Sequence, residues 1–503
     1  MFSWQVPETD GSSPGEATLE MTLPISLGPQ KNLACTAQRA QEVVNPDYDA
    51  SYIPCGDNSE NSVSPLLPHP PPQRAEISLS HLPPELLLEI FFLCLPEDFH
   101  IVIPHDDDSK RDFLPWKLGH VCSRWREIVW SSSWLWSCIK FTVPRISHNN
   151  RSLDMADTVF RLAGNLVLDL CADGPSYDFN PIHAYVEPNL ARFVCLRLTL
   201  NPSLTIDLLS ISKGSLDALR WFGLGIAGEL DKKEVSRAGA VAFRTASHLQ
   251  TVRFFPHAGS DIPSLIRMQF PWSQITDLSM TSPGIRPCDA LRILSQCSEL
   301  TSCCFLYIEG GPGADPGMTL PVGSISLPQL DFFDLDLTHG TPADEILSFL
   351  VLPSLSRLGL ASTNVDDSAA LTRFFTRSSC PLQVLKLEGY FRDLGPILSA
   401  VPLLKILDAP KAYLRSSWMH TLPAQLLKFR CCVTREDAFS FLDMLETRLQ
   451  TEIGPRGWET TAEVGVENAN EELILMLESK LVDLVMRYGW ANFVEFHKLE
   501  AGH

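Results

Sequence analysis

LSRLGL (355–360) and LQVLKL (382–387) share one frame, L-x-x-L-x-L. Leucines two apart share a face when the chain is extended, so each copy reads as a strand with one apolar side. Degenerate copies have their first positions at Phe193, Leu216, Leu249, Ile275, Leu300, Leu330, Leu355, Leu382, Leu404 and Leu426, at intervals of 22 to 33 residues. RLAGNLVLDL (161–170) and ARFVCLRLTL (191–200) read as helix-end-to-strand segments. Helix signals fall between copies. TPADEILSFL (341–350) offers Thr341 as N-cap, Pro342 at the first helical position and Asp344 as a capping-box-like acceptor. DDSAALTRFFTRS (366–378) and TREDAFSFLDMLETRLQ (434–450) are similar. A strand–turn–helix unit cannot hide its apolar face alone; stacked neighbours build one core and a parallel strand array. The predicted class is therefore α/β.

Upstream, LPPELLLEIFFLCLP (82–96) is a compact helix. Pro83 and Pro84 suit a first turn, Glu85 favours the positive end of the helix dipole, and Pro96 stops it. Leu86, Ile90 and Cys94 repeat every four residues beside Leu87, Phe91 and Leu95, too wide a stripe for a helix with one wet side. WKLGHVCSRWREIVW (116–130) reads as a second helix, with Leu118, Val121, Cys122, Trp125, Ile128 and Val129 on one face. SSSWLWSCIKF (131–141) adds serines as candidate caps and the anchors Trp134, Leu135 and Trp136. So small a helical unit cannot bury all this surface alone, and exposed apolar surface of that kind belongs to a partner.

The order LPPELLLEIFFLCLP, VCSRWREIVW, SSWLWSCI resembles an F-box of the mushroom-forming fungal type, over roughly 77–141. Residues 97–115 insert a longer loop than the shortest F-boxes carry, and Trp134 replaces the usual proline before the Leu-Trp pair. The L-x-x-L-x-L frame resembles a degenerate leucine-rich repeat. No copy is read as carrying the ladder asparagine; Asn364 stands one residue late. Four parts are expected: from composition, a disordered Pro/Ser-rich tail (1–76); from the resemblance, a three-helix F-box (77–141) and a leucine-rich-repeat-like solenoid of strand–helix units (150–451); and, from its acids and apolar spacing, an acidic loop with a C-terminal capping helix (452–503). The resemblance implies a substrate-recruiting adaptor of a cullin–RING ubiquitin ligase, with no catalytic residue of its own. The partners implied are a Skp-type adaptor, through it cullin and RING subunits, and a substrate protein. The positions matching the docking motif are Leu82, Pro83, Leu86, Ile90, Phe91, Val121, Trp125, Leu135 and Trp136. The alternative is a scaffold whose F-box packs on its own solenoid: exposed apolar residues on the helices favour the adaptor, and their burial favours the scaffold.

Composition excludes other classes. Sixty acidic against 40 basic residues give a net charge of −20, which argues against nucleic-acid binding. No run approaches the length of a membrane span and no secretory signal opens the chain; the expectation is a cytoplasmic or nuclear protein. The 14 cysteines include no Cys-x-x-Cys, and Cys303–Cys304 and Cys431–Cys432 are adjacent, so reduced structural thiols are expected. GSSPG (11–15) lacks the strand and helix that a nucleophile elbow needs. His100, His105 and Asp106 to Asp108 form a charged loop with nothing to orient metal ligands. GLGIAG (223–228) has the spacing of a dinucleotide fingerprint but no acid at the end of the next strand, LQTVRFF; its glycines are read as turns. Neither a metal nor a cofactor is expected.

Overall fold

The computed structural model describes residues 82–95, 100–103, 114–143, 150–172, 180–211, 215–228, 230, 241–255, 270–281, 285–308, 323–364, 367–391, 393–415, 422–423, 425–452, 461–467, 469, 471–488 and 494–499. All lie in one compact unit, Ser78–His503. The expected tail (1–76), GSSPG, His105 and Asp106 to Asp108 lie outside the described residues.

The described elements begin with α1 (Pro84–Leu93), β1 (Ile101–Ile103), α2 (Leu114–Val121), α3 (Ser123–Ser131), a 3₁₀ turn (Ser133–Trp136) and β2 (Cys138–Thr142). They continue with α4 (Asn150–Leu162), β3 (Leu166–Ala172), β4 (Phe193–Leu200), α5 (Pro202–Ser210), β5 (Trp221–Ile226), β6 (Thr251–Phe255), β7 (Asp277–Met280) and α6 (Pro287–Leu294). Then come β8 (Ser302–Phe305), β9 (Ile325–Ser326), β10 (Phe332–Leu337), α7 (Asp344–Leu347), β11 (Leu350–Val351), β12 (Arg357–Ser362) and α8 (Asp367–Ser378). The last elements are β13 (Val384–Glu388), α9 (Gly395–Ala400), β14 (Ile406–Tyr413), β15 (Lys428–Val433), α10 (Ala438–Glu452), β16 (Thr461–Glu467), α11 (Glu471–Tyr488) and β17 (Val494–Leu499). Fifteen strands form one sheet in strict chain order, and β9 and β11 form a separate parallel pair. Pairings in the large sheet are parallel, so each strand is followed by a return crossover before its neighbour is laid beside it.

The leucine frame sets the register. Cys195 pairs with Trp221, Trp221 with Thr251, Thr251 with Asp277, and the same step continues through Ser302, Phe332, Arg357, Val384, Ile406 and Lys428. Nine of the ten expected first positions, all but Leu216, therefore lie in one row, and all ten are buried. The frame at Leu216 is a correction: register puts Leu219 in that row, with Phe222 and Leu224 facing the core. Leu196, Phe222, Val252, Leu278, Cys303, Phe333, Leu358, Leu385 and Leu407 make one inward column, and helix residues such as Leu208, Leu291, Phe374 and Ile397 cover it. Apart from its glycines, the opposite face of these strands is largely half-buried or exposed.

Five local readings change. The acidic loop and capping helix expected at 452–503 instead continue the sheet: β16 pairs with β15, and α11 crosses over to β17 rather than closing the end. The 97–115 insert holds β1, whose Ile101 and Ile103 are buried and pair with Ile139 and Phe141. The second helix is two: Cys122 adopts an extended backbone (φ −157°) and its Sγ caps α3 by accepting from the Trp125 N–H at 3.4 Å. Thr341 does not cap a helix; its hydroxyl donates to the Ile308 carbonyl at 3.1 Å, while Asp367 of α8 accepts from the Ala343 N–H at the start of α7. Gly223 and Gly225 lie in β5, not in turns, and the rings of Trp221 and Phe255 pack directly over Gly223.

The twelve described cysteines are free thiols. Burial raises Cys297 to about 12, and Cys304 to about 12 with help from Asp334, so both stay protonated as apolar filling. Among the described residues no group could hold a metal ion, and no helix is long and apolar enough to cross a membrane.

Candidate docking surface

The helices α1 to α3 and the 3₁₀ turn are held from beneath. Trp136 and Leu135 are fully buried where the turn enters β2. The Trp136 indole N–H donates to the Val129 carbonyl at 2.9 Å, and its ring meets Trp116 edge-on at 4.7 Å. Phe91 is also fully buried, edge-on to Trp125 at 4.7 Å. Arg124 donates to the Leu82 carbonyl, pinning α3 to the entry of α1, and Arg126 donates to the Gly119 carbonyl at the end of α2. Ser132 sits at the start of the 3₁₀ turn but caps nothing there; its hydroxyl bonds the Ile128 carbonyl at 2.6 Å. Trp136→Phe is expected to cost about 1–2 kcal/mol by losing the indole bond and part of the ring contact. Chemical denaturation of the full chain measures it.

These contacts divide the nine expected docking residues. Phe91, Leu135 and Trp136 have no accessible surface and hold the interior together; they leave the contact set. Leu82 and Trp125 are half-buried, while Pro83, Leu86, Ile90 and Val121 face solvent. Leu86 is 51 % exposed and Val121 60 %.

Helix α1 is apolar on two sides. Leu87 and Phe91 point into the core, whereas Leu86, Ile90 and Leu93 continue the line of Pro83 on the outside. That is the helical i, i+4, i+7 spacing, and Leu93, at 79 % exposed, is its most accessible member. Sequence reasoning missed Leu93, although its place seven residues after Leu86 was visible. It also missed Trp130 and Phe92, which are exposed as well, Phe92 with its ring 5.6 Å from Trp134. Glu85 and Glu89 of α1 are exposed beside the stripe. An apolar line on a charged rim can cover a partner's apolar groove; it offers no nucleophile, acid–base pair or metal site.

No model of a known protein family matches this chain, and no curated protein matches it either.

Proposed function

We propose that the chain is a substrate-recruiting adaptor of a cullin–RING ubiquitin ligase, with α1 to α3 as an F-box that docks on a Skp-type adaptor and the sheet as a leucine-rich-repeat-like solenoid that holds the substrate. The observation that carries the reading is the solvent-facing stripe Leu86–Ile90–Leu93 on a helix whose opposite side is already buried. Apolar side chains held in water by a packed helix are what a docking partner covers. The sequence resemblance to an F-box over these residues gives the stripe its partner. For the second half, the support is the single-file parallel order of the strands. Asn201 adds to it by standing eight residues after Phe193, the ladder place read as empty in every copy, with its Oδ1 accepting from the Leu204 N–H at 2.9 Å. In this reading the chain does no chemistry; it raises the effective concentration of a substrate near a loaded ubiquitin carrier.

A second reading, a scaffold outside any ligase, has one feature in its favour: β1 and β2 make the helical module part of the sheet. Co-purification of the full chain with a Skp-type adaptor separates the two. Capture of the adaptor, lost in Leu82→Ala/Pro83→Ala, is the expected result; a folded chain that captures none is a scaffold.

A further inference from the structure

The open face of the sheet is largely self-neutralised. Arg197 faces Asp169, Arg253 faces Asp277, Arg357 bonds Asp331, Lys386 bonds Glu388 and Arg430 bonds Asp408. Two carboxylates of β10, Asp334 and Asp336, stand outside these pairs. The register places them in two rows: Asp334–Gly359–Lys386 and Asp336–Ala361–Glu388. Strand β12 thus runs as a low floor of Gly359 and Ala361 between two polar walls. The Asp334 carboxylate leans over Gly359, where a Cβ would overlap it. Burial pushes the Asp334 carboxyl above its usual range; Lys386 opposes the rise and Glu388 and Asp336 add to it.

Exposed rings stand at the end of this furrow. Tyr307 follows β8 with a left-handed backbone (φ 64°), an uncommon conformation for a bulky residue, and its ring lies 5.6 Å from that of His339, which follows β10. Tyr390 follows β13 and is 51 % exposed, and Lys411 of β14 already stands 5.6 Å from its ring centre. Such rings take cations on their faces, Arg above Lys because the guanidinium is flat and weakly hydrated.

We propose that the furrow along β12, with Asp334 and Asp336 as its acidic wall and Tyr307 and Tyr390 at its rim, docks an arginine-bearing extended segment of a partner protein. Carboxylates outside the ion pairs complement a guanidinium in charge, Asp336 held in place by the Thr338 N–H and hydroxyl and Asp334 in the field of Lys386, and the accessible rings complement it in shape. Under the adaptor reading this is where a substrate would sit, but the surface does not depend on that reading.

The test is fluorescence anisotropy of the full chain, at physiological ionic strength, with short fluorescein-labelled Gly-Arg, Gly-Lys and Gly-Glu repeat peptides. Gly-Arg is expected to bind about threefold more tightly than Gly-Lys, and Gly-Glu not at all. Asp334→Asn/Asp336→Asn should weaken Gly-Arg binding about tenfold, and Tyr307→Gly/Tyr390→Ala about threefold. Glycine at 307 keeps the left-handed backbone while removing the ring. Glu471→Gln/Glu472→Gln removes the same charge from the exposed start of α11 and should leave binding within about twofold. Equal loss in that control pair, insensitivity to the ring variants, or an intact chain that does not bind Gly-Arg overturns the proposal. No adaptor takes part, so failure here leaves adaptor capture standing, and failure there leaves this surface standing.

Discussion

Gly389→Ala is expected to lower the unfolding free energy by roughly 3–5 kcal/mol, the largest loss expected from a methyl group added at any described glycine. Two costs coincide. Gly389 sits just past β13 at φ +139°, a conformation that L side chains rarely adopt. A Cβ there would also collide with the carbonyl oxygen of Ser362, the last residue of β12. That carbonyl belongs to a strand paired on both sides, so it cannot move aside as a flexible side chain would. Gly340 provides the comparison: its φ is +86°, but nothing lies within 4 Å of an added Cβ. Gly340→Ala should therefore cost only about 1 kcal/mol, from backbone strain alone. Guanidinium unfolding midpoints of the two variants check the prediction; equal shifts would remove the steric argument.

Leu86→Asp/Leu93→Asp is expected to abolish capture of a Skp-type adaptor, a loss of more than about a hundredfold in affinity, with little change in stability. Both side chains are largely in water, so a carboxylate costs the free chain about 0.5 kcal/mol or less at each site. Covered by an apolar partner surface, each carboxylate would lose its hydration without gaining a cation, at a cost of several kcal/mol. Phe91→Ala should do the reverse on stability, costing about 3–5 kcal/mol because Phe91 is fully buried against Trp125. Thermal melts beside pull-downs separate the two effects. Undiminished capture by the double aspartate variant would show that this stripe is not where the adaptor sits.

The parallel sheet was legible because its signal is repeated and periodic: alternating apolar residues at one frame, copy after copy. Leu216 was misread because Leu219 serves two overlapping frames, LDALRW and LRWFGL, and only the pairing of Trp221 with Cys195 and Thr251 decides between them. The break at Cys122 was hidden because Leu118, Val121, Trp125 and Ile128 keep a helical spacing straight through it. β1 is three residues long, too short to announce itself among prolines and aspartates, and it gains its form from pairing with β2. Which side of α1 faces water was not legible at all. Leu86 and Leu87 are equally apolar, so the choice rests on what packs beneath, here Trp125 of α3 against Phe91. The β12 furrow was missed because its parts, from Asp334 to Tyr390, meet only through strand register.

The strict chain order of the fifteen strands gives this molecule an unusual mechanical character. Among the described residues no strand is laid between two that are distant in sequence, so the last strand can peel away without dragging an earlier one out of place. Tension applied at the C-terminal end would release β17, then β16, then β15, each step exposing one fresh edge and shortening the stack by one rung. The helices α1 to α3, laced to the opposite end through β1 and β2, would be the last to feel it. A machine that extracts and unfolds proteins by pulling on this end would meet a zipper, while pulling at the other would have to break the tryptophan-packed base first.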